Sequence, residues 1–246
     1  MKITKNSLTF NVKPCDVFKV NEHWFGGSEI FWNLLMSGGW EADTFKIFDK
    51  YASKEHSYLD IGAWVGPTVL YGAQLFKKCY AFEPDTIAFN LLKNNILENL
   101  NISNIELYSD AITDYTGQIN FGTKTILGDS MSSTLWNKES TLVNCISLQD
   151  FIINNNIQDC NFIKMDIEGG EFKALPAAKN IFKQIDATLY VSLHTPFFND
   201  KKLYLNAIMD SLSSFKYIYS SSDRKINHTD ILNLSGFTSI IATNKE

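Results

Sequence analysis

Cysteine is scarce: the 246 residues hold only Cys15, Cys79, Cys145 and Cys160, far apart and in no CxxC pair. That excludes a disulfide scaffold or a zinc ribbon and fits inert buried thiols in a reducing compartment. No stretch approaches the ~18 uninterrupted apolar residues of a membrane span. The first thirty residues alternate polar and apolar (Ile3-Thr4-Lys5-Asn6-Ser7-Leu8-Thr9-Phe10) and lack the apolar core of a secretory signal. A soluble, cytoplasmic chain with no membrane span is expected. Basic charge is in deficit, 22 Lys and Arg against 27 Asp and Glu for a net −5, and no basic stripe stands out. Broad nucleic-acid binding, which needs such a stripe to release counterions, is therefore not expected. No internal repeat and no long Pro/Gly/Ser linker divides the sequence, and the dinucleotide fingerprint G-x-G-x-x-G is missing.

What is present is an ordinary apolar fraction, 45%, enough for one buried sheet with helices on it. The pattern changes near residue 57. Before it stand a short strand, 7–12, and two aromatic-rich helices, 28–36 and 42–52, split by Ser37-Gly38-Gly39. After it, strands at 57–61, 78–82, 104–108, 161–166, 187–193, 215–220 and 237–243 alternate with helices near 67–77, 85–98, 147–156, 170–183 and 200–213. Pro67, Pro84-Asp85 and Ser147-Leu148-Gln149-Asp150 mark helix starts. Residues 119–146 interrupt the alternation with hairpin-like, Ser/Thr-rich sequence. This predicts an α/β fold: a doubly wound, mostly parallel, seven-stranded sheet in one globular unit, 57–246, with residues 1–56 as a small extension packed on it. Such sheets bind ligands beyond the carboxyl ends of their strands.

The first strand runs into Asp60-Ile61-Gly62-Ala63-Trp64-Val65-Gly66 and a helix opened by Pro67. Its glycines allow a tight turn and close approach, and the helix start offers N–H donors to an anion. An acid there suits a cation better than a phosphate, which favours an amino-acid moiety; a tight turn without a ligand is the plainer reading. Glu83 closes the second strand, about twenty residues on, where an acid takes the two hydroxyls of a ribose. Asp85 reads as a helix-start carboxylate. The third strand ends at Ser109-Asp110-Ala111, where Asp110 either accepts an adenine amino group beside Ala111 or forms a turn.

The most distinctive stretch is Lys164-Met165-Asp166-Ile167-Glu168-Gly169-Gly170-Glu171. By period-two alternation Phe162, Lys164, Asp166 and Glu168 share one face, with Ile163, Met165 and Ile167 on the other. A lysine inside a sheet must pair with a carboxylate or snorkel, so a purely structural pair competes with a catalytic role. Asp166 projects into the cleft on the functional reading, and Glu171 complements a helix start. The next strand delivers His194, and adjacent strands ~4.8 Å apart bring Asp166 and His194 to one small volume. His23, His56 and His228 have no such setting.

Acids ending three successive strands, with glycines after the first, resemble the S-adenosylmethionine-binding half of class I methyltransferases. The resemblance implies Asp60, Gly62, Ala63, Trp64 and Gly66 around the methionine part, Glu83 on the ribose, and Asp110 with Ala111 on the adenine. With the Lys164–Glu171 block, Gly39-Trp40-Glu41, Ala81–Asp85 and Ser132-Ser133 added, residues from about 38 to 195 resemble the FkbM family of S-adenosylmethionine-dependent methyltransferases. The family implies O-methyl transfer to a hydroxyl of a sugar, glycan or natural-product or glycolipid intermediate. His194 is then the candidate base, with Asp166 orienting it and Lys164 beside them. A magnesium or manganese ion on Asp166, Glu168 and His194 is the less favoured variant. Ser192 stands where family members often carry a further acid.

Trp24, Phe25, Phe31, Trp32 and Trp40 form either a lid over the acceptor or a cover for the sheet edge. The Gly122–Ser140 loop is a second candidate lining of the acceptor pocket. Two other readings stay open: a nicotinamide-dependent oxidoreductase, which lacks its glycine fingerprint, and a catalytically silent cofactor- or glycan-binding module. An amino-group methyltransferase would need Asn/Asp-Pro-Pro-Tyr after the fourth strand, which is missing.

Overall fold

The computed structural model describes residues 1–15, 27–124 and 127–245. In chain order the elements are β1 (Lys2–Lys5), β2 (Leu8–Asn11), α1 (Glu29–Ser37), α2 (Ala42–Tyr51), β3 (Ser57–Ile61), α3 (Pro67–Gly72), β4 (Lys78–Phe82), α4 (Thr86–Leu97), β5 (Ile105–Tyr108), β6 (Ala111–Thr113), β7 (Gly117–Thr123), β8 (Lys138–Ser147), α5 (Leu148–Asn154), β9 (Cys160–Met165), α6 (Glu171–Ala178), β10 (Thr188–His194), α7 (Lys201–Ser211), β11 (Tyr217–Ser220), α8 (His228–Leu232) and β12 (Phe237–Thr243). Trp24 and Phe25, with His23, lie outside the described residues.

The fold is α/β, with a seven-stranded sheet ordered β11-β12-β10-β9-β3-β4-β5. Only β12 runs against its neighbours, β10 and β11; the contacts among β10, β9, β3, β4 and β5 are parallel. The central strands β3 and β9 are buried along their whole length, as a sheet covered on both faces requires. Side chains divide by alternation. Leu59, Ile61, Ile163 and Met165 join one apolar core with Leu175, Leu205 and Ile208. Tyr58 and Phe162 face the other, with Trp32, Phe45 and Phe48 from the N-terminal segment. The chain leaves β3 toward β4 and β5, then returns to place β9 on β3's other side. That reversal opens a crevice at the carboxyl ends.

Start signals work as the sequence suggests. Asp85 caps α4 by accepting from Ile87 and Ala88 N–H, and Ser147 caps α5 by accepting from Asp150 N–H. Other segments differ from expectation. The strand at 7–12 is half of a β1–β2 hairpin turning through Asn6 and Ser7 in left-handed backbone. The helix from Pro67 stops at Gly72, where a Cβ would collide with Tyr58 and Phe48. The helix expected over 170–183 contains Pro176; α6 ends at Ala178 and a short 3-10 turn follows at Ile181–Lys183. Residues 111–147 build a separate three-stranded sheet ordered β6-β8-β7, in which β7 and β8 form the anticipated hairpin. Helix α8, opened by an Asn227–Asp230 capping box, was not anticipated. Among the described residues no helix is long and apolar enough to cross a membrane, and Cys79, Cys145 and Cys160 are buried free thiols.

Candidate active site

The loop after β3 forms the floor of the cleft. Gly62 takes φ +84°, and a Cβ there would overlap the Asp166 carbonyl oxygen. Its bare backbone thus lets the ends of β3 and β9 touch. Gly62, Ala63 and Trp64 line the cleft, but their N–H groups are spent inside the protein: those of Gly62 and Ala63 on Phe82 O, and that of Trp64 on Glu83 Oε2 at 2.7 Å. The N–H of Gly66, at φ +93° before α3, donates to Ala63 O. None of these four N–H groups is therefore left for a ligand.

Glu83 is buried at the end of β4, accepting from Trp64 N–H with one oxygen and from Asp85 N–H with the other. Burial lifts its carboxyl to about 8, against the pull of those two N–H groups. It still lines the cleft, and a carboxylate holding two donors keeps lone pairs for hydroxyls. Asp110 and Ala111 line an adjoining apolar recess with Phe82, Ile112, Phe121 and Ile167, a slot of the character a flat base needs. Asp85 does more than cap α4. Its second oxygen accepts from Gly128 N–H at 2.7 Å and Ser132 Oγ–H at 2.8 Å, tying down the loop between β7 and β8.

Lys164 stands in register with Asp60 on β3 and Tyr190 on β10. Its Nζ lies 3.6 Å from Asp60 Oδ1 and 3.8 Å from Asp166 Oδ2, and donates to Gly62 O at 3.4 Å. Burial alone would lower its pKa, but Asp60, Asp166 and Glu41 overcome this and hold it above the usual lysine value. Asp60 is fully enclosed, and burial raises its pKa against the opposing pull of Lys164 and Thr68. It lies beneath the cleft rather than on its wall. The cleft wall at this end is instead Trp40, Glu41, Thr68, Lys164 and Asp166.

Sequence reasoning assigned no role to Glu41, although the acid after Gly39-Trp40 lay within the recognised stretch. Its side chain reaches solvent, yet enclosure by surrounding protein, followed by the Asp166 charge, raises its carboxyl to about 7. Trp40 and Trp64 both meet Phe31, at ring separations of 5.2 and 4.8 Å, while Phe31 and Trp32 are buried. The N-terminal aromatics thus cover the sheet and, through Trp40, also wall the cleft.

His194 closes β10 next to the β9 end. Its Nδ1 lies 3.0 Å from Glu171 Oε1, which also accepts from Ile167 N–H at 3.0 Å. Its Nε2 faces Glu168 Oε1 at 3.3 Å and Asp166 Oδ1 at 3.5 Å. Burial would lower the imidazole pKa, but Glu168, Glu171 and Asp166 more than reverse this and push it to about 11. Asp166, Glu168 and His194 offer ligand atoms all within 4.8 Å of one another, and a carboxylate behind the distal nitrogen is the usual support of a metal-bound histidine. Glu168 holds its place through a left-handed turn (φ +53°) followed by Gly169 (φ +98°). Ser192, two residues before His194, pairs its hydroxyl with Ser239 at 3.1 Å.

Across the sheet edge the order is therefore Asp110 after β5, Glu83 after β4, Gly62–Trp64 after β3, Asp166 after β9 and His194 ending β10. An apolar slot, a buried acid and a polar, charged end follow one another, a donor set whose chemistry fits S-adenosylmethionine. Fold and site together define a class I S-adenosylmethionine-dependent methyltransferase. The model of the methyltransferase FkbM domain matches residues 60–219, and the chain belongs to the FkbM family. Among solved structures, the methyltransferase FkbM of Methylobacillus flagellatus KT superposes with TM-score 0.50 at 19% identity, over 77% of this chain and 44% of that one. This chain thus spans less than half of that protein's length. A S-adenosylmethionine-dependent methyltransferase of Agrobacterium tumefaciens gives 0.51 at 11% identity, over 100% of this chain and 70% of that one. An rRNA methylase of Streptococcus thermophilus gives 0.47 at 13%, over 82% and 95%. At such identities the likeness is one of fold. No curated protein matches the sequence.

Proposed function

We propose that this methyltransferase transfers its methyl group to a hydroxyl of a sugar, a glycan or a natural-product or glycolipid intermediate. The observation that carries this reading is the proton-handling group at the β9–β10 end: His194 backed by Glu171 and faced by Asp166 and Glu168. A sugar hydroxyl stays protonated at neutral pH, so its attack on a methyl group needs a proton acceptor or a Lewis acid. Bound S-adenosylmethionine supplies an already activated methyl group, which leaves positioning as the protein's main task, worth about 7–11 kcal/mol in favourable cases. Glu83 holds the ribose, Asp110 and Ala111 the adenine, and Gly62, Ala63 and Trp64 the floor beneath the methionine part. Lys164 and Asp60 fix the strand ends from below. The net charge of −5 argues against a nucleic-acid acceptor, and the buried free thiols suit the reducing cytoplasm.

His194 serves as the base only if its proton is first displaced, because three carboxylates surround the ring. The clustering of ligand atoms within 4.8 Å favours a second reading, in which Asp166, Glu168 and His194 Nε2 hold magnesium or manganese. A hard divalent cation supplies Lewis acidity, lowering the pKa of a hydroxyl at the site. Glu171 then keeps Nδ1 protonated and the ring oriented.

Release of S-adenosylhomocysteine, measured over a panel of sugars, glycosides and lipid-linked glycans with amines and RNA as controls, tests the function. Turnover confined to hydroxyl acceptors is expected. Cofactor binding without turnover on any acceptor would leave a silent binding module. Full turnover in excess chelator would remove the cation.

A further inference from the structure

We propose that Glu41, brought to the cleft by the N-terminal segment, receives the α-ammonium of the cofactor's methionine moiety. This rests on the S-adenosylmethionine cleft described above and assigns a residue within it.

An amino-acid moiety at the β3–β9 end brings a positive charge that needs a carboxylate. Three surround Lys164 there, Asp60, Asp166 and Glu41; Glu168, on the same cleft wall, faces His194 Nε2 at 3.3 Å. Asp60 is sealed under the floor and faces Lys164. Asp166 divides its oxygens between Lys164 Nζ at 3.8 Å and His194 Nε2 at 3.5 Å. Of the three, only Glu41 has no cation within 4 Å among the described residues, and it lines the cleft beside Thr68, Lys164 and Asp166. Among the described residues its one side-chain bond is to Thr44, whose Oγ1–H donates to Glu41 Oε2 at 3.0 Å. Because Thr44 gives its proton to Glu41, the 2.8 Å contact with Tyr190 has the tyrosine hydroxyl as donor. A buried relay from β10 thereby fixes one oxygen and leaves the other for a ligand.

The backbone supports the same assignment. Glu41 occupies the N-cap position of α2, where an acid ordinarily accepts from the helix N–H groups, yet it makes no capping bond. It adopts φ 39°, ψ 45°, a left-handed conformation uncommon for a side-chain-bearing residue. Backbone of this kind persists where surroundings enforce it, often at ligand sites. Here it turns the carboxylate away from its own helix and into the cleft.

The test is calorimetric titration of wild type and Glu41→Gln with S-adenosylhomocysteine and with its deamino analogue, which keeps the carboxylate but lacks the amine. Glutamine preserves size and can still accept from Thr44. For S-adenosylhomocysteine the variant is expected to bind about ten- to a hundredfold more weakly, the range of one charge-assisted hydrogen bond. The deamino analogue is expected to bind both proteins alike, and wild type to prefer the amine by a similar factor. Equal affinity of the two proteins for S-adenosylhomocysteine, or equal losses for both ligands, would overturn the assignment while the cofactor reading stands. Wild type that fails to bind S-adenosylhomocysteine overturns both. Wild-type indifference to the amine overturns the assignment even if the variant does not fold.

Discussion

Lys164 Nζ lies 3.6 Å from Asp60 Oδ1, and both side chains are almost entirely enclosed between the β3 and β9 ends. A buried pair of this kind contributes little net stability, but removing one member strands a charge. Asp60→Ala is therefore expected to destabilise the protein by about 3–5 kcal/mol. Replacing both, Asp60→Leu with Lys164→Met, should recover most of that loss. Urea unfolding followed by circular dichroism measures both, and an unchanged midpoint for Asp60→Ala would show that the pair has no such role.

Gly62→Ala should fail more severely than a surface glycine change. The added carbon overlaps the Asp166 backbone oxygen, and φ +84° is unfavourable for alanine. Loss of soluble protein, or a large fall in melting temperature, is expected, whereas Gly236→Ala, with open space around it, costs only its backbone strain (φ +72°).

Glu171 touches neither end of the proposed cofactor path but fixes His194 through Nδ1. Glu171→Gln should lower kcat by about 10–100-fold, as loss of an orienting carboxylate behind a functional histidine does. Affinity for S-adenosylhomocysteine should stay unchanged. A matching loss of affinity would mean that the whole strand end has moved.

Glu83 gives a pH signature. Its carboxyl is lifted by burial to about 8 in the folded protein, against 4.5 as its ordinary value. The folded state thus binds the extra proton, so this group's stabilising contribution is complete below about 4.5 and is lost as pH rises through about 8. Ribose hydroxyls favour the ionised form, so affinity for S-adenosylhomocysteine should climb with pH up to about 8. Glu83→Gln should flatten both slopes, read from melting curves and titrations at pH 6, 7, 8 and 9.

The parallel strands β3 and β4 were legible because strands buried on both faces are rich in apolar residues, and both fall on the expected residues, as does the antiparallel β12. The interruption by Lys164 was legible for the same reason, since a lysine inside such a strand demands a partner. The enclosure of Asp60 was not legible, because sequence shows that an acid ends a strand, not whether its carboxylate reaches the cleft. Glu41 carried no local signal of its own, because its approach to the cleft depends on how α1 and α2 pack against the sheet. Helix α8 is five residues long, too short for periodicity to reveal.

Asp85 joins two jobs in one side chain, opening α4 with one oxygen and anchoring Gly128 and Ser132 with the other. The segment between β7 and β8 is thereby moored to the end of β4, beside Glu83. Because Ser130 and Ser132 line the cleft and Thr134 lines the apolar recess beside Asp110, replacing the segment changes those walls, and keeping the two mooring points preserves how it is held. Grafts designed on this chain should begin and end outside them.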